Sequence, residues 1–478
     1  MKKLVFSLLW LAGITLNAQN TQDLIIQDLN YLSAFSNDIN AGSARYIGMG
    51  GSMGALGGDV SAGFQNPAGS AIAINSEVNT SLGFTSFRNT TKFGSSNKTS
   101  DNAFLLQNVG ANFVFLNEGS SWNRFTIGIK YAQENLDNWI KTGRNNNITK
   151  TELSPIPEEY TTYTMAGYQD ITEGYKNRTT LDFGASFKDQ LFLGLGFNFH
   201  ETRYNNYVFF DEDTQGTVYR YDLNGTPYSA TANGFSLSAG LIGKANDYLR
   251  FGLAYHSPIW YSRIEENYYA DLPIDTNFEN YYYDYYYSEY DRSSNGRLVA
   301  SAGLIVAKSL ALNLDYTLHM NGSTKLKPSK YFYETNDFLN HNYKSNSEIR
   351  VGSEYRIDNF RLRAGYNFVQ SPFKEISLNA DPGSGNVAST KFSDIFQGNI
   401  NRISFGAGYN FGGFYLDAAY QFQNQKYTYL FGNGEYVDYD AADNTVYYAS
   451  LPLNANHNYA STIKNNKGLF VLTAGWQF

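Results

Sequence analysis

Apolar residues fall on every second position over long stretches of this chain. From Phe414 to Phe422 the even positions are Phe, Leu, Ala, Tyr and Phe, while the odd ones are Tyr415, Asp417, Ala419 and Gln421. Phe360 to Phe368 repeats the pattern against Arg361, Arg363, Gly365 and Asn367. Leu310 to Met320 sets its apolar residues against Ala311, Asn313, Asp315, Thr317 and His319. Successive side chains of a strand point to opposite faces, whereas a helix would scatter these residues around its axis. The segments are therefore two-faced β-strands.

The same rule applied to the whole chain predicts fourteen strands, near 77–89, 103–117, 122–134, 178–188, 191–207, 230–244, 249–263, 294–307, 310–321, 346–356, 359–369, 399–411, 413–425 and 463–478. Their connections alternate in length. Those at 117–121, 189–190, 244–247, 308–309, 358 and 412 are short, while 135–177, 264–293, 370–398 and 426–462 are long and polar. Tight turns at one end and long loops at the other are the habit of outer-membrane barrels. A soluble sandwich has no reason to gather every long loop at one end. The expected fold is all-β, a 14-stranded antiparallel transmembrane β-barrel, and its even strand number puts both termini in the periplasm.

Composition agrees. Aromatic residues make up 17% and charged residues only 17%, with Tyr 40, Phe 34 and Gly 43, against about a quarter charged in ordinary domains. With Cys 0 there is no disulfide framework or thiol nucleophile. A net charge of -8 argues against nucleic acid. Lys2, Lys3 and the apolar run Leu4 to Leu16 before Asn17-Ala18 have the anatomy of a secretory signal peptide over 1–18. The last strand ends with Phe470, Leu472, Ala474, Trp476 and Phe478 on one face. Its terminal Phe478 and Trp476 resemble the signal that the barrel-assembly machinery reads.

Fourteen strands enclose a hole too wide for wall side chains alone to fill. Segment 19–75 lacks period-two alternation and is long enough to fold back inside as a plug, leaving 76–478 as the barrel. A short helix is expected over Gln22 to Ser36. Asp23, Asp28, Asp38 and Asp59 face a single Arg45 in this segment, while Arg250, Arg350, Arg361 and Arg363 fall on lumen-facing positions near the short-turn end. An acidic plug docked on a basic ring is the expectation; simple solvated lumen charges are the plain alternative. The run from Gly48 to Gly58 is not a phosphate loop, since no strand precedes it and no Gly-Lys-Ser/Thr follows.

Residues 44–69, Ala-Arg-Tyr-Ile-Gly-Met-Gly-Gly-Ser-Met-Gly-Ala-Leu-Gly-Gly-Asp-Val-Ser-Ala-Gly-Phe-Gln-Asn-Pro-Ala-Gly, resemble the N-terminal signature of the FadL family of outer-membrane transporters. Asn66, Pro67 and Ala68 match that family's plug motif, Gly48, Gly50 and Gly51 its glycine cluster, and Arg45 and Asp59 its charged positions. The resemblance implies uptake of long-chain fatty acids or other hydrophobic compounds. Capture at outer loops, a plug shift and sideways exit into lipid at an inward kink of the third strand would follow. Strand 122–134 shows only Gly128 as a kink signal. Implied partners are a fatty acid-like ligand, outer-membrane lipid and lipopolysaccharide, and the barrel-assembly machinery.

The remaining constellations read plainly. The Tyr-rich stretch 281–290 either lines an apolar groove or packs as an ordinary loop. His200, His256, His319, His341 and His457 lack ligand spacing, so no metal or cofactor is expected. No nucleophile elbow is present, so the chain is not expected to be an enzyme. A general polar porin and a FadL-like barrel serving type IX protein secretion are the alternative functions.

Overall fold

The computed structural model describes residues 32–478, apart from 37, 156–157, 223–225, 274–280, 381–387, 393, 432–436, 441–444 and 449–459. The expected signal peptide, Asp23, Asp28, His457 and most of the expected helix Gln22 to Ser36 lie outside the described residues. Of that helix, Leu32 to Ser36 form a turn.

Fourteen strands build the wall. They are β1 (Glu77–Phe93), β2 (Ser95–Leu116), β3 (Trp122–Asn135), β4 (Glu158–Phe187), β5 (Leu191–Thr214), β6 (Tyr228–Lys244) and β7 (Leu249–His256). The second half is β8 (Gly296–Val306), β9 (Leu310–Met320), β10 (Asn346–Ile357), β11 (Phe360–Val369), β12 (Ile400–Asn410), β13 (Phe414–Leu430) and β14 (Ala460–Gln477). Each pairs antiparallel with the next, and β14 pairs with β1 from Gln477↔Glu77 to Ile463↔Thr91, so the sheet closes as a 14-strand barrel. The alternation sets the faces. Leu82, Phe84, Phe470 and Leu472 point outward and are exposed, while Ser81, Asn79 and Thr473 between them are buried. An apolar outside around a polar inside is the wall of a membrane-spanning barrel. No described helix is long and apolar enough to cross a membrane.

The two ends differ. At one, Lys188-Asp189 and Ala307-Lys308 take paired positive φ angles near 50–58°, the geometry of two-residue hairpin turns. A belt of aromatic rings, Phe360, Tyr409, Phe411, Phe414 and Trp476, runs edge to edge around this end. Phe478 also sits here, its N–H bonded to the Ser76 carbonyl at 3.0 Å and its ring exposed.

At the other end the polar stretches expected as loops continue as strands. Trp260–Pro273 pairs with Tyr281–Ser293, and Asn145–Pro155 with the upper part of β4. Backbone pairing persists there because an outward residue beyond the lipid has no need to be apolar. The Tyr-rich stretch lies in the first of these ribbons, where Tyr268 and Tyr286 stack at 5.4 Å. Leu32 and Phe35 lie in the aromatic cluster at this extension end, with Phe35 edge-on to Tyr261 at 5.4 Å. The described chain thus begins, at Leu32, at the end opposite Phe478.

Candidate functional site

Residues 38–76 fill the lumen as three short turns, each capped by its own side chain. Helix α1 (Ala44–Gly48) starts at Ser43, whose Oγ accepts from the Tyr46 N–H at 3.1 Å. The Val60–Phe64 turn starts at Asp59, whose Oδ1 accepts from the Ser61 N–H at 2.7 Å. The Pro67–Ile72 turn starts at Asn66, whose Oδ1 accepts from the Ala68 N–H at 3.1 Å, with Pro67 in the first helical position. The plug-motif residues are thus the punctuation of a chain with too few residues per turn to hold itself. Asn66 also donates to the carbonyls of Gly54 and Leu241, tying the plug to itself and to β6.

Close approach completes the docking. Gly50 has φ +65, and a Cβ there would lie 3.0 Å from the Tyr366 backbone nitrogen. On the wall, a Cβ on Gly194 would lie 2.2 Å from the Ala68 nitrogen, so the Pro67-Ala68 backbone rests directly on β5.

The charges dock differently from the expected acidic plug on a basic ring. Arg45, the plug's own cation, forms a two-pronged pair with Glu354 at 2.8 and 2.9 Å and donates to the Gly58 carbonyl at 2.7 Å. Burial opposes its charge, and the Glu354 carboxylate more than restores it, so Arg45 stays protonated. Asp59 serves Ser43 and Ser61 rather than an arginine. Arg363 bonds the wall carboxylates Glu354 and Asp417 at 2.7 and 2.9 Å. Arg250 reaches only the Leu56 carbonyl, at 3.1 Å, and Arg361 is half-exposed on the Asn359 carbonyl. Arg350 pairs with Glu348 at 2.8 Å and touches the plug through Gln65. Carboxylates of the wall neutralise two of the four, Arg350 and Arg363, because alternation puts Glu348, Glu354 and Asp417 on the same inner face. Of the plug's described carboxylates only Asp38 follows the expected sense, 3.4 Å from Arg297 and 3.3 Å from His319. His319 also touches Glu348 at 3.0 Å. Both carboxylates already accept from arginines, which makes this an ion-pair relay rather than a cation site. A further pair, Lys130 with Asp182 at 2.6 Å, is fully buried and shares Ser70 of the plug at 2.5 Å.

Helix α1 separates two chambers. Arg45, Asp59 and Arg361 line one of about 280 Å³ at the short-turn end. Tyr46, Gly50 and Gly51 line the floor of another, about 230 Å³, toward the extension end. Leu136, Ile140, Tyr204, Val369, Phe396 and Ile400 give the latter apolar walls. Arg402 and Lys467 also line it, and neither is ion-paired among the described residues. Sequence reasoning missed these residues, since they lie on five separate strands and two connecting segments.

The wall is broken beside this chamber. Between β2 and β3 the ladder stops at Asn108↔Ala132, although β3 continues along β4 to Asn135. The chain then turns inward. Asn135 Oδ1 accepts from the Asp137 N–H at 2.6 Å, and Asp137 Oδ1 accepts from the Gly174 N–H at 3.0 Å, where Gly174 holds φ +147. Asn138 and Trp139 come to rest on inward-facing residues of the neighbouring wall. Asn89 bonds both, and Phe87 meets the Trp139 ring edge-on at 6.0 Å. A small chamber of about 50 Å³, lined by Phe87, Leu105, Gln107, Glu134 and Leu469, lies at this level. It shares Asn40, Glu134, Asn135, Gln423 and Lys467 with the larger one. The kink therefore lies just past 122–134, and Gly128 is not its cause. That glycine faces Asp182 within a regular stretch of ladder.

No family model and no curated sequence matches the chain. Solved structures do resemble it. A FadL homologue of Pseudomonas aeruginosa aligns with TM-score 0.55 at 14% identity, covering 92% of this chain and 99% of its own. The P. putida toluene transporter TodX aligns at 0.53 and 11%, over 92% and 99%. The CymD monoaromatic hydrocarbon channel does so at 0.53 and 12%, again over 92% and 99%. These alignments run over nearly the whole chain: it has the fold of the FadL-type outer-membrane channels.

Proposed function

We propose that this protein takes up hydrophobic small molecules across an outer membrane, with long-chain fatty acids as the fitting class. The observation that carries this reading is the chamber toward the extension end, whose apolar walls end in Arg402 and Lys467. An aliphatic chain would lie against Leu136, Ile140 and Tyr204, and a carboxylate would meet two cations that form no salt bridge among the described residues. The short-turn end is then periplasmic and the extension end outermost. A molecule leaving the chamber has the β2–β3 break beside it, and sideways exit into lipid spares it a passage through the charged floor. Movement of α1 would accompany release, since Tyr46 forms part of the chamber. The plug-filled lumen weighs against an open polar porin.

Binding of palmitate and hexadecane to the purified protein tests the head-group assignment. R402Q/K467Q removes charge-assisted contacts of about 1.5–3 kcal/mol, so palmitate affinity is expected to fall roughly tenfold or more while hexadecane binding stays level. Equal losses for both ligands would remove the carboxylate from the reading. For the exit route, Asn135→Val with Asp137→Thr abolishes the side-chain bonds that turn the chain inward. Cells carrying it should bind palmitate normally and take it up poorly. Unimpaired uptake would sink the lateral path.

A further inference from the structure

We propose that the outward face of β13, β14, β1 and β2 binds the phosphate groups of a lipopolysaccharide-type glycolipid. This rests on the reading above only in placing the extension end outermost.

Register brings the site together. Lys426 stands directly opposite Lys464, Lys464 opposite Thr90, and Thr90 opposite Lys98. Arg88 and Lys92 flank Thr90 on the same outward face, and all five cations are exposed. With strands about 4.8 Å apart, Lys98, Lys464 and Lys426 form a row about 15 Å long. The row lies beyond the apolar band, in which Phe84 pairs with both Phe104 and Phe470. It is therefore at the height where lipid headgroups begin.

Among the described residues the patch has no carboxylate of its own. The acidic residues of these four strands are Glu77, Asp101 and Asp417; Glu77 and Asp417 are buried, and Asp101 is on the inward phase of β2. Elsewhere at this end three outward arginines are paired, Arg203 with Glu201 at 3.0 Å, Arg220 with Asp211 at 2.6 Å and Arg263 with Glu289 at 2.9 Å. Like charges directly opposite on neighbouring strands repel. Lys426 against Lys464 is thus an arrangement that an anion from outside would relieve. Phosphates fit, since each lysine offers a mobile point charge rather than a fixed fork. A glycolipid whose acyl chains run down the Phe84 band presents its phosphates at this height.

The full-length protein in detergent, probed with diphosphorylated lipid A, dephosphorylated lipid A, phosphatidylglycerol vesicles and inorganic phosphate, provides the test. Wild type should retain diphosphorylated lipid A at least about tenfold better than the other lipids, and R88Q/K92Q/K98Q/K426Q/K464Q should lose that margin. The charge-keeping K98R/K426R/K464R should keep it, which separates loss of charge from loss of fold. Full retention by the glutamine variant, equal retention of phosphatidylglycerol, or complete displacement by inorganic phosphate would each overturn the proposal. K98C should react with an impermeant maleimide on intact cells; failure to react would remove the outer-leaflet glycolipid as the occupant. Palmitate binding by the glutamine variant should match wild type, so this proposal and the uptake reading fail separately.

Discussion

The two halves of the lumen are held by different physics. Toward the short turns, plug and wall meet through buried ions, capped turns and glycines that let backbones touch. Lys130–Asp182 and the Arg45–Glu354–Arg363–Asp417 chain allow one arrangement each. Farther toward the extensions, above the ion pairs of the chamber floor, ring edges and hydroxyls add to the contacts, such as Tyr168 with Phe431 at 5.3 Å and the Tyr168–Tyr429 hydroxyl pair at 3.0 Å. Buried ion pairs are costly to disrupt, whereas aromatic packing tolerates shifts in shape. A seal and an adaptable chamber follow from that contrast in one barrel.

The contrast predicts a gradient of mutational cost. Asp182→Ala strands a fully buried Lys130, so urea unfolding in detergent should show a loss of about 3–5 kcal/mol, and K130M/D182L should recover most of it. A D182A loss no larger than that of a surface change would erase the distinction between the halves. Arg45→Ala should cost about 2–3 kcal/mol and raise ion leakage in planar bilayers, because it removes the pronged contact that closes the floor. Tyr429→Phe takes a hydroxyl from Tyr168 and Asp170 in the upper half and should cost only about 1 kcal/mol, with no added leakage. If Y429F leaked and R45A did not, the seal would lie above α1 rather than at it.

Much of the lower half was legible in the sequence, because its determinants are local. Period-two runs such as Phe414 to Phe422 name both faces of a strand, and Asn66-Pro67-Ala68 carries its own cap and start signal. The upper half was not, for reasons of distance. The inward turn after β3 needs Asn135 and Asp137 to meet Gly174, on a strand that follows a long excursion. Arg402 and Lys467 share a chamber only through strand register. The expectation about ring charge failed for a related reason: each arginine was visible, but whether Glu354 or Asp59 would face it depended on which wall residue lay across the lumen.

The closure of the barrel has one more consequence. Arg88, Lys92 and Lys98 come from the first hairpin, and Lys426 and Lys464 from the last, so the five cations meet only across the β1–β14 seam. A ligand that binds this cluster binds the shut ring and not the open sheet. By mass action it shifts the balance toward closure in proportion to its own concentration. Folding of such a wall would then be conditional on the leaflet receiving it, and the membrane would act as a check on completed insertion.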